Sequence, residues 1–320
     1  MFKLFCDDFE ENIMLKNWTD EHTESFGKKS FTVEHSLKET GLFTDEALAD
    51  LLDKHPRSHL DVCTMADHDL WQAKFRTGDV RNVDGKTLIE AARTGSIWMN
   101  LRQAMNMHPE YKIVLDKMYS QLAQLSGAKH LKPRGGILIT CPTAETPYHF
   151  DPTDTILWHV RGQKTMYLYP RTEEYLPDEY FERVLFCDNE DYLPYHKKMD
   201  EGAAKFDLTD NQMITWPLNS PHRVENSSYC VSVTAEYSSP ESSFKNAVMY
   251  THAVMRRKAG MNPSWRRTSY PSKMVKAITG RMLRKMGILA SLKEIDTVTF
   301  TVDKNAPGYI LDTAPFLRDF

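Results

Sequence analysis

The stretch "TPYHFDPTDTILWHVRGQKTMYLYP" (Thr146–Pro170) decides how this chain folds. Two runs rich in β-branched and aromatic residues, TILWHV (Thr155–Val160) and TMYLYP (Thr165–Pro170), flank the link RGQK (Arg161–Lys164). Such residues suit a pleated, half-buried surface, and Gly162 can take the positive φ that a compact hairpin needs. The pattern predicts two antiparallel strands. At their entrance stand His149 and Asp151, two positions apart. Residues i and i+2 on an extended backbone point to the same side, so both can address one point while Phe150 packs away from it. A buried hydrophobic hairpin has no use for that pair. A metal site does.

Two ligands on one strand need a third from elsewhere, and His222 in "WPLNSPHRVEN" is the best placed. It follows the strand-like QMITWP (Gln212–Pro217) and lies inside a Pro/Asn/Ser turn that fixes its direction. Two histidines and one carboxylate form a facial triad with open coordination positions, the arrangement of non-haem Fe(II) oxygenases. The other histidines are less well placed. His159 sits inside a predicted strand and reads as a wall residue, His196 lies in a charged loop, and His252 lies on a predicted helix. The chain's other His-x-Asp, His59 to Asp61, follows a predicted helix in a polar stretch and reads as ordinary surface.

Outward from the hairpin, GGILITC (ending at Cys141) and YCVSVTAEYS (Tyr229–Ser238) repeat the strand character. Residues 131–240 therefore read as an antiparallel sandwich or barrel. Residues 1–130 are mixed, with helices predicted over Thr44–His55, Gly85–Thr94 and Pro109–Leu125, and a short strand over Ser96–Leu101. Residues 241–320 read as a basic helical region. There the apolar stripe Met274, Ile278, Met282 and Met286 is expected to pack on the barrel or on a second subunit. The whole is mainly β with flanking helices.

The net charge of −4 gives no whole-chain bias toward nucleic acid or membrane. The distribution is uneven, however. Met255 to Lys293 holds eleven Lys or Arg and no Asp or Glu, which leaves about −15 on the remainder. Five scattered cysteines (Cys6, Cys63, Cys141, Cys187 and Cys230) have no C-x-x-C spacing, which argues for reduced thiols over a zinc ribbon or disulfide framework. The N-terminus turns acidic after six residues, unlike a signal peptide. No apolar run approaches the roughly 18 residues that span a bilayer. A cytoplasmic setting is expected.

The motifs carry a resemblance. "TPYHFD" followed by "RGQKTMYLYP" is similar to the T-P-x-H-x-D…G-x-K…L-(Y/F)-P run of the cupin-like, JmjC-type Fe(II)/2-oxoglutarate oxygenases, in particular the asparaginyl hydroxylase branch. "NQMITWPLNSPHRVEN" resembles the second cupin motif, with Pro217, His222 and Asn226 matching and Asn211 and Asn219 in place of two glycines. Asn is the residue that best tolerates a left-handed backbone, so both replacements keep the motif's turns. The match runs from about Gly136 to Tyr237. It implies a double-stranded β-helix (jelly-roll, cupin) core, Fe(II) held by His149, Asp151 and His222, and 2-oxoglutarate whose distal carboxylate meets Lys164 and the Thr146 hydroxyl. A buried dianion does need a fixed cation and hydrogen-bond donors.

The implied activity is hydroxylation, or demethylation, of a small-molecule or protein substrate that the sequence does not identify, with 2-oxoglutarate converted to succinate. The alternative is a cupin-like metal-binding protein or a 2-oxoglutarate-independent dioxygenase, neither of which needs Lys164 and Thr146. C-terminal helices in the resembled family imply a homodimer. Nucleic acid or an anionic membrane surface is the less favoured use of the basic segment.

Overall fold

The computed structural model describes residues 14–65, 75–186, 194–289 and 297–318. The strands are β1 (Leu15–Lys16), β2 (Phe31–His35), β3 (Leu60–Met65), β4 (Phe75–Asp79), β5 (Ile97–Leu101), β6 (Leu131–Thr140), β7 (Glu145–His149) and β8 (Asp154–Arg161). They continue as β9 (Lys164–Leu168), β10 (Ala204–Leu208), β11 (Gln212–Thr215), β12 (His222–Asn226), β13 (Cys230–Ser238), β14 (Thr297–Val302) and β15 (Ile310–Leu317). The helices are α1 (Asp20–Ser25), α2 (Asp45–Lys54), α3 (Gly85–Thr94), α4 (Ala104–Met107), α5 (Pro109–Ser126), α6 (Asp178–Phe186), α7 (Pro240–Ala259) and α8 (Tyr270–Lys285).

Two sheets face each other. The large one runs β1-β2-β11-β8-β13-β6-β5-β3-β4-β14-β15, and the small one β10-β9-β12-β7. Every pairing is antiparallel except β4 with β14. The hairpin read from the sequence joins the two sheets, since β8 lies in the large sheet and β9 in the small one. This is the jelly-roll core, a double-stranded β-helix, with strands from both flanks extending its larger sheet.

Alternation along the large sheet explains the interior. Val231, Val233 and Ala235 of β13, Ile137 and Ile139 of β6, Ile97 and Met99 of β5, and Ile156, Trp158 and Val160 of β8 are buried in the principal core beneath the helices. The residues between them turn toward the small sheet, where Leu157, Met166, Leu168, Leu208, Ile214 and Trp216 form an inner cluster. Each large apolar side chain so buried contributes about 1.5–3 kcal/mol.

Local signals set the helix ends. The Thr44 hydroxyl accepts from Ala47 N and the Asp84 carboxylate from Thr87 N as N-caps, each worth about 1 kcal/mol. Pro109 opens α5, and Gly260 ends α7 at φ 61°. Gly162 turns the β8–β9 link at φ +100°, and a Cβ there would lie 2.4 Å from Tyr229 O.

Two features depart from the sequence reading. The last described segment holds the strand pair β14–β15, and β14 lies parallel to β4 from the N-terminal third. The Met/Ile stripe along α8 does not pack on the barrel, one of its two expected positions, and stands exposed on the single chain, with Met282 at 60% and Met286 at 68%. The helix packs on α7 through its small residues instead. Ala277 and Gly280 are buried, and a Cβ on Gly280 would lie 1.9 Å from Ala247 O. Close approach of the two backbones selected the narrow face over the bulky one.

Candidate metal centre

His149 ends β7 and His222 begins β12, and the two are direct partners across these antiparallel strands. Their rings are 4.1 Å apart. Asp151 follows two residues on, and its Oδ2 lies 3.7 Å from His222 Nε2. One ligand atom from each of the three lies within 4.8 Å of the others, the only such cluster of metal-binding side chains among the described residues. Phe150 turns the other way and stacks on Phe181 with centroids 4.9 Å apart, which is the alternation expected of an extended segment.

Each imidazole is held by a carbonyl. His149 Nδ1 lies 2.7 Å from Pro147 O and His222 Nδ1 lies 3.1 Å from Ser220 O. A carbonyl only accepts, so Nδ1 carries the proton in both rings and Nε2 presents its lone pair, the usual support of a metal-bound histidine. Burial, and next the neighbouring His149, pushes His222 down to about 4, so the ring is neutral and fit to ligate at ordinary pH. The loop carrying Asp151 is clamped from both sides. Asn219 Nδ2 donates to Asp151 O at 2.7 Å, and Asn246 Nδ2 of α7 donates to Pro152 O at 2.9 Å. Asn219 and Asn211 adopt φ of 61° and 62°, so both asparagines supply the left-handed backbone that the motif's glycines would.

The triad opens on a chamber of about 220 Å³ between the sheets. Its lining follows the inward register of the strands: Trp98 and Asn100 from β5, Leu138 and Thr140 from β6, Thr155 and Leu157 from β8, Thr234 and Glu236 from β13. Lys164 and Met166 of β9 and Val224 and Asn226 of β12 face them from the small sheet. Lys164 pairs with Asn226 in register, four residues along β12 from His222, which is roughly 13 Å of strand.

Lys164 is 5% exposed, and its Nζ donates to Ser232 Oγ at 3.0 Å. No carboxylate pairs with it among the described residues, and burial pulls its ammonium below the ordinary lysine pKa. Arg223, the other buried cation beside the triad, is the contrast. Its guanidinium bonds Asp200 at 2.5 Å and Glu225, and lies 3.6 Å over the Tyr167 ring. Arg223 is spent within the fold, whereas Lys164 holds its charge toward the chamber.

A relay of hydrogen bonds orients that lysine. His159 Nε2 lies 3.0 Å from Gly162 O, so Nε2 is the protonated nitrogen. His159 Nδ1 then accepts from the Ser232 hydroxyl at 3.0 Å, which leaves Ser232 Oγ to accept from Lys164. Burial drives His159 to about 3, so the ring stays neutral beside the ammonium.

The remaining sequence candidates fall as follows. Thr146 lines the chamber mouth and is largely exposed. Of the aromatic residues near the motif, Trp216 lines the chamber, its ring 5.0 Å from that of His222. Tyr148 turns out to bond Tyr175 O, Tyr167 bonds Glu225, and Trp158 belongs to the principal core. Asp61 of the other His-x-Asp pairs with Arg102 and Arg318. His252 is buried on α7, and its Nε2 lies 3.0 Å from Lys276 Nζ. Cys141 and Cys230 are buried thiols, while Cys6 and Cys187 lie outside the described residues. No described helix is long and apolar enough to cross a membrane.

Neither a family model nor a curated protein sequence matches the chain. Among solved structures it is similar to YcfD from Escherichia coli (14% identity, 86% of this chain and 68% of that one, TM-score 0.49). It is also similar to YcfD, there described as a ribosomal oxygenase, in complex with cobalt and 2-oxoglutarate (13% identity, 90% and 75%, TM-score 0.49) and with cobalt and succinic acid (13% identity, 90% and 75%, TM-score 0.47). These likenesses are distant and leave the chain's activity to its own residues.

Proposed function

We propose that the protein is an Fe(II)- and 2-oxoglutarate-dependent dioxygenase that hydroxylates its substrate. The observation that carries this reading is the pairing, in one chamber, of a two-histidine, one-carboxylate triad with a buried lysine that has no carboxylate partner among the described residues. The donor set fits a divalent first-row metal with open positions. The chamber fits an acidic small molecule. Its volume falls below the roughly 300 Å³ of drug-sized pockets, and Trp98 Nε1 and Thr155 Oγ1 in its wall are buried with no hydrogen-bond partner among the described residues. His149, Asp151 and His222 would hold the iron, and Lys164 with Thr146 would receive the distal carboxylate of 2-oxoglutarate. When bound, iron, 2-oxoglutarate and O2 supply the oxidising power for insertion of oxygen into a C–H bond, with release of CO2 and succinate.

The chain's own part is positional. The backbone carbonyls of Pro147 and Ser220 fix the two imidazoles, Asn219 and Asn246 clamp the Asp151 loop, and Ser232 aims Lys164. The tryptophans, Leu138, Leu157 and Met166 keep the chamber wall apolar and limit water. The cupin-like binding protein and the 2-oxoglutarate-independent dioxygenase give a buried ammonium with no carboxylate partner among the described residues nothing to do. Within the oxygenases, the asparaginyl hydroxylase branch rests on the motif resemblance alone.

The test is succinate formation by the Fe(II)-loaded protein. Succinate should appear only when 2-oxoglutarate and O2 are both present, and should vanish in His149→Ala. Succinate from that variant at the wild-type rate would remove the proposal.

A further inference from the structure

A second, larger depression begins where the triad ends. Pro152 and Thr153, which follow Asp151 directly, form one wall of a groove of about 930 Å³, roughly four times the volume of the triad chamber. The groove runs between the start of β6 and the paired helices α7 and α8. Four cations line it: Lys132, Arg134, Arg281 and Arg284. Arg134 connects the two spaces, because it pairs at 2.9 Å with Glu236, whose side chain lines the triad chamber.

The other three cations have no carboxylate partner among the described residues. Elsewhere in the basic segment, Arg256 pairs with Glu182 and Arg266 with Glu173 and Asp178. Arg281 and Arg284 are three apart on α8 and share a face. The α7–α8 contact at Gly280 brings that face to the groove edge. The groove thus concentrates positive charge beside the mouth of an otherwise acidic molecule.

We infer that this groove docks an acidic polypeptide segment of the substrate, so that a neighbouring residue of the same chain reaches the triad chamber. The inference rests on the oxygenase reading. Arginine forks match carboxylates, and the four cations are spread along a space large enough for a chain but not needed by a small metabolite. Single-stranded nucleic acid would call for stacking surfaces as well as charge. Among the described residues the groove offers one aromatic ring, Tyr250, whose hydroxyl lies 3.1 Å from Leu289 N, and its other uncharged lining is aliphatic or small and polar. Carboxylates carried on a peptide backbone match that lining.

The experiment uses the full chain and fluorescence anisotropy, with three labelled probes of about 12 units matched in length: oligoglutamate, a Gly/Ser peptide and oligothymidylate. Wild type should bind oligoglutamate, ignore the Gly/Ser peptide, and lose affinity steeply from about 50 to about 300 mM salt. Arg281→Glu/Arg284→Glu, both on the exposed face of α8, should weaken oligoglutamate binding at least about tenfold. Lys132→Glu, away from the helices, should weaken it in the same direction. Absence of oligoglutamate binding, tighter binding of oligothymidylate, or full binding by the double variant would each overturn the inference. Co(II) titration of the same preparations separates the two claims. Wild type and the double variant should bind Co(II) alike, so intact Co(II) binding without peptide binding sinks the groove alone. Failure of wild type to bind Co(II) sinks the oxygenase reading as well.

Discussion

Replacing Lys164 by methionine keeps much of the side-chain volume and removes only the charge. In the free protein the ammonium is buried, bonded to one hydroxyl and unmatched by any described carboxylate. Desolvation therefore weighs against the folded state, and exchanging such a charge for an apolar side chain is neutral or stabilising by about 1–4 kcal/mol. The Ser232 hydroxyl still donates to His159 Nδ1, so the exchange orphans no donor. In the proposed complex with 2-oxoglutarate the balance would reverse. Truncating one partner of a buried, hydrogen-bonded charge pair costs about 3–5 kcal/mol, which at about 1.4 kcal/mol per tenfold is about two to three and a half orders of magnitude in Kd. Lys164→Met should thus melt no lower than wild type, and by this reasoning a few degrees higher, while binding 2-oxoglutarate at least about a hundredfold more weakly. Anaerobic calorimetric titration with Co(II) present, beside a thermal melt, reads both quantities. A variant that loses stability yet keeps its affinity for 2-oxoglutarate would refute the reasoning, because Lys164 would then be a structural residue.

Three further outcomes follow from the same geometry. Ser232→Ala leaves Lys164 Nζ and His159 Nδ1 without partners, so stability should fall by about 1–3 kcal/mol and 2-oxoglutarate affinity about tenfold, with Co(II) affinity unchanged; a loss confined to Co(II) would contradict the relay. Asn219→Gly keeps the left-handed backbone but loses the bond to Asp151 O, whereas Asn219→Ala loses both. Metal affinity should drop about 10–100-fold in each, with Ala less stable by a further 1–2 kcal/mol or about that, and equal urea midpoints would count against the backbone argument. Burial lowers His35, His55 and His252 to about 4 from an ordinary 6.5. The unfolded chain then binds more protons between those values, so stability is full above about pH 6.5 and declines as pH falls toward 4, by up to about 3 kcal/mol for His35 alone. Urea titrations from pH 7.5 downward should show that decline, and a flat profile to pH 5 would show that these histidines are not buried neutral.

The convergence of His149, Asp151 and His222 was legible because its spacing is local. His149 and Asp151 share one extended segment, and the turn ahead of His222 carries its own signature in Pro217, Asn219 and Pro221. Asn211 and Asn219 could be read as glycine substitutes because positive φ is a property of single residues. What supports the site was not legible, because its partners are remote. Ser232 and His159 are 73 residues apart. The alternation Ser232, Thr234, Glu236 was visible as period 2, but nothing in it said which face held the chamber. Trp98 and Asn100 reach the wall because β5 joins β6. Packing of the α8 stripe on the barrel was expected from hydrophobicity, whereas the contact within the chain, with α7, follows size, with Gly280 and Ala277 inside and the methionines out. The strands β14 and β15 went unread because β14's parallel partner β4 lies more than two hundred residues earlier.

The most direct measurement is an anaerobic titration of the full chain with Fe(II) and then 2-oxoglutarate, followed by visible absorption. The account predicts a weak charge-transfer band that grows only when both are present, is absent in His149→Ala, and needs far more 2-oxoglutarate in Lys164→Met. A folded wild-type protein that gives no band at saturating concentrations of both would contradict it.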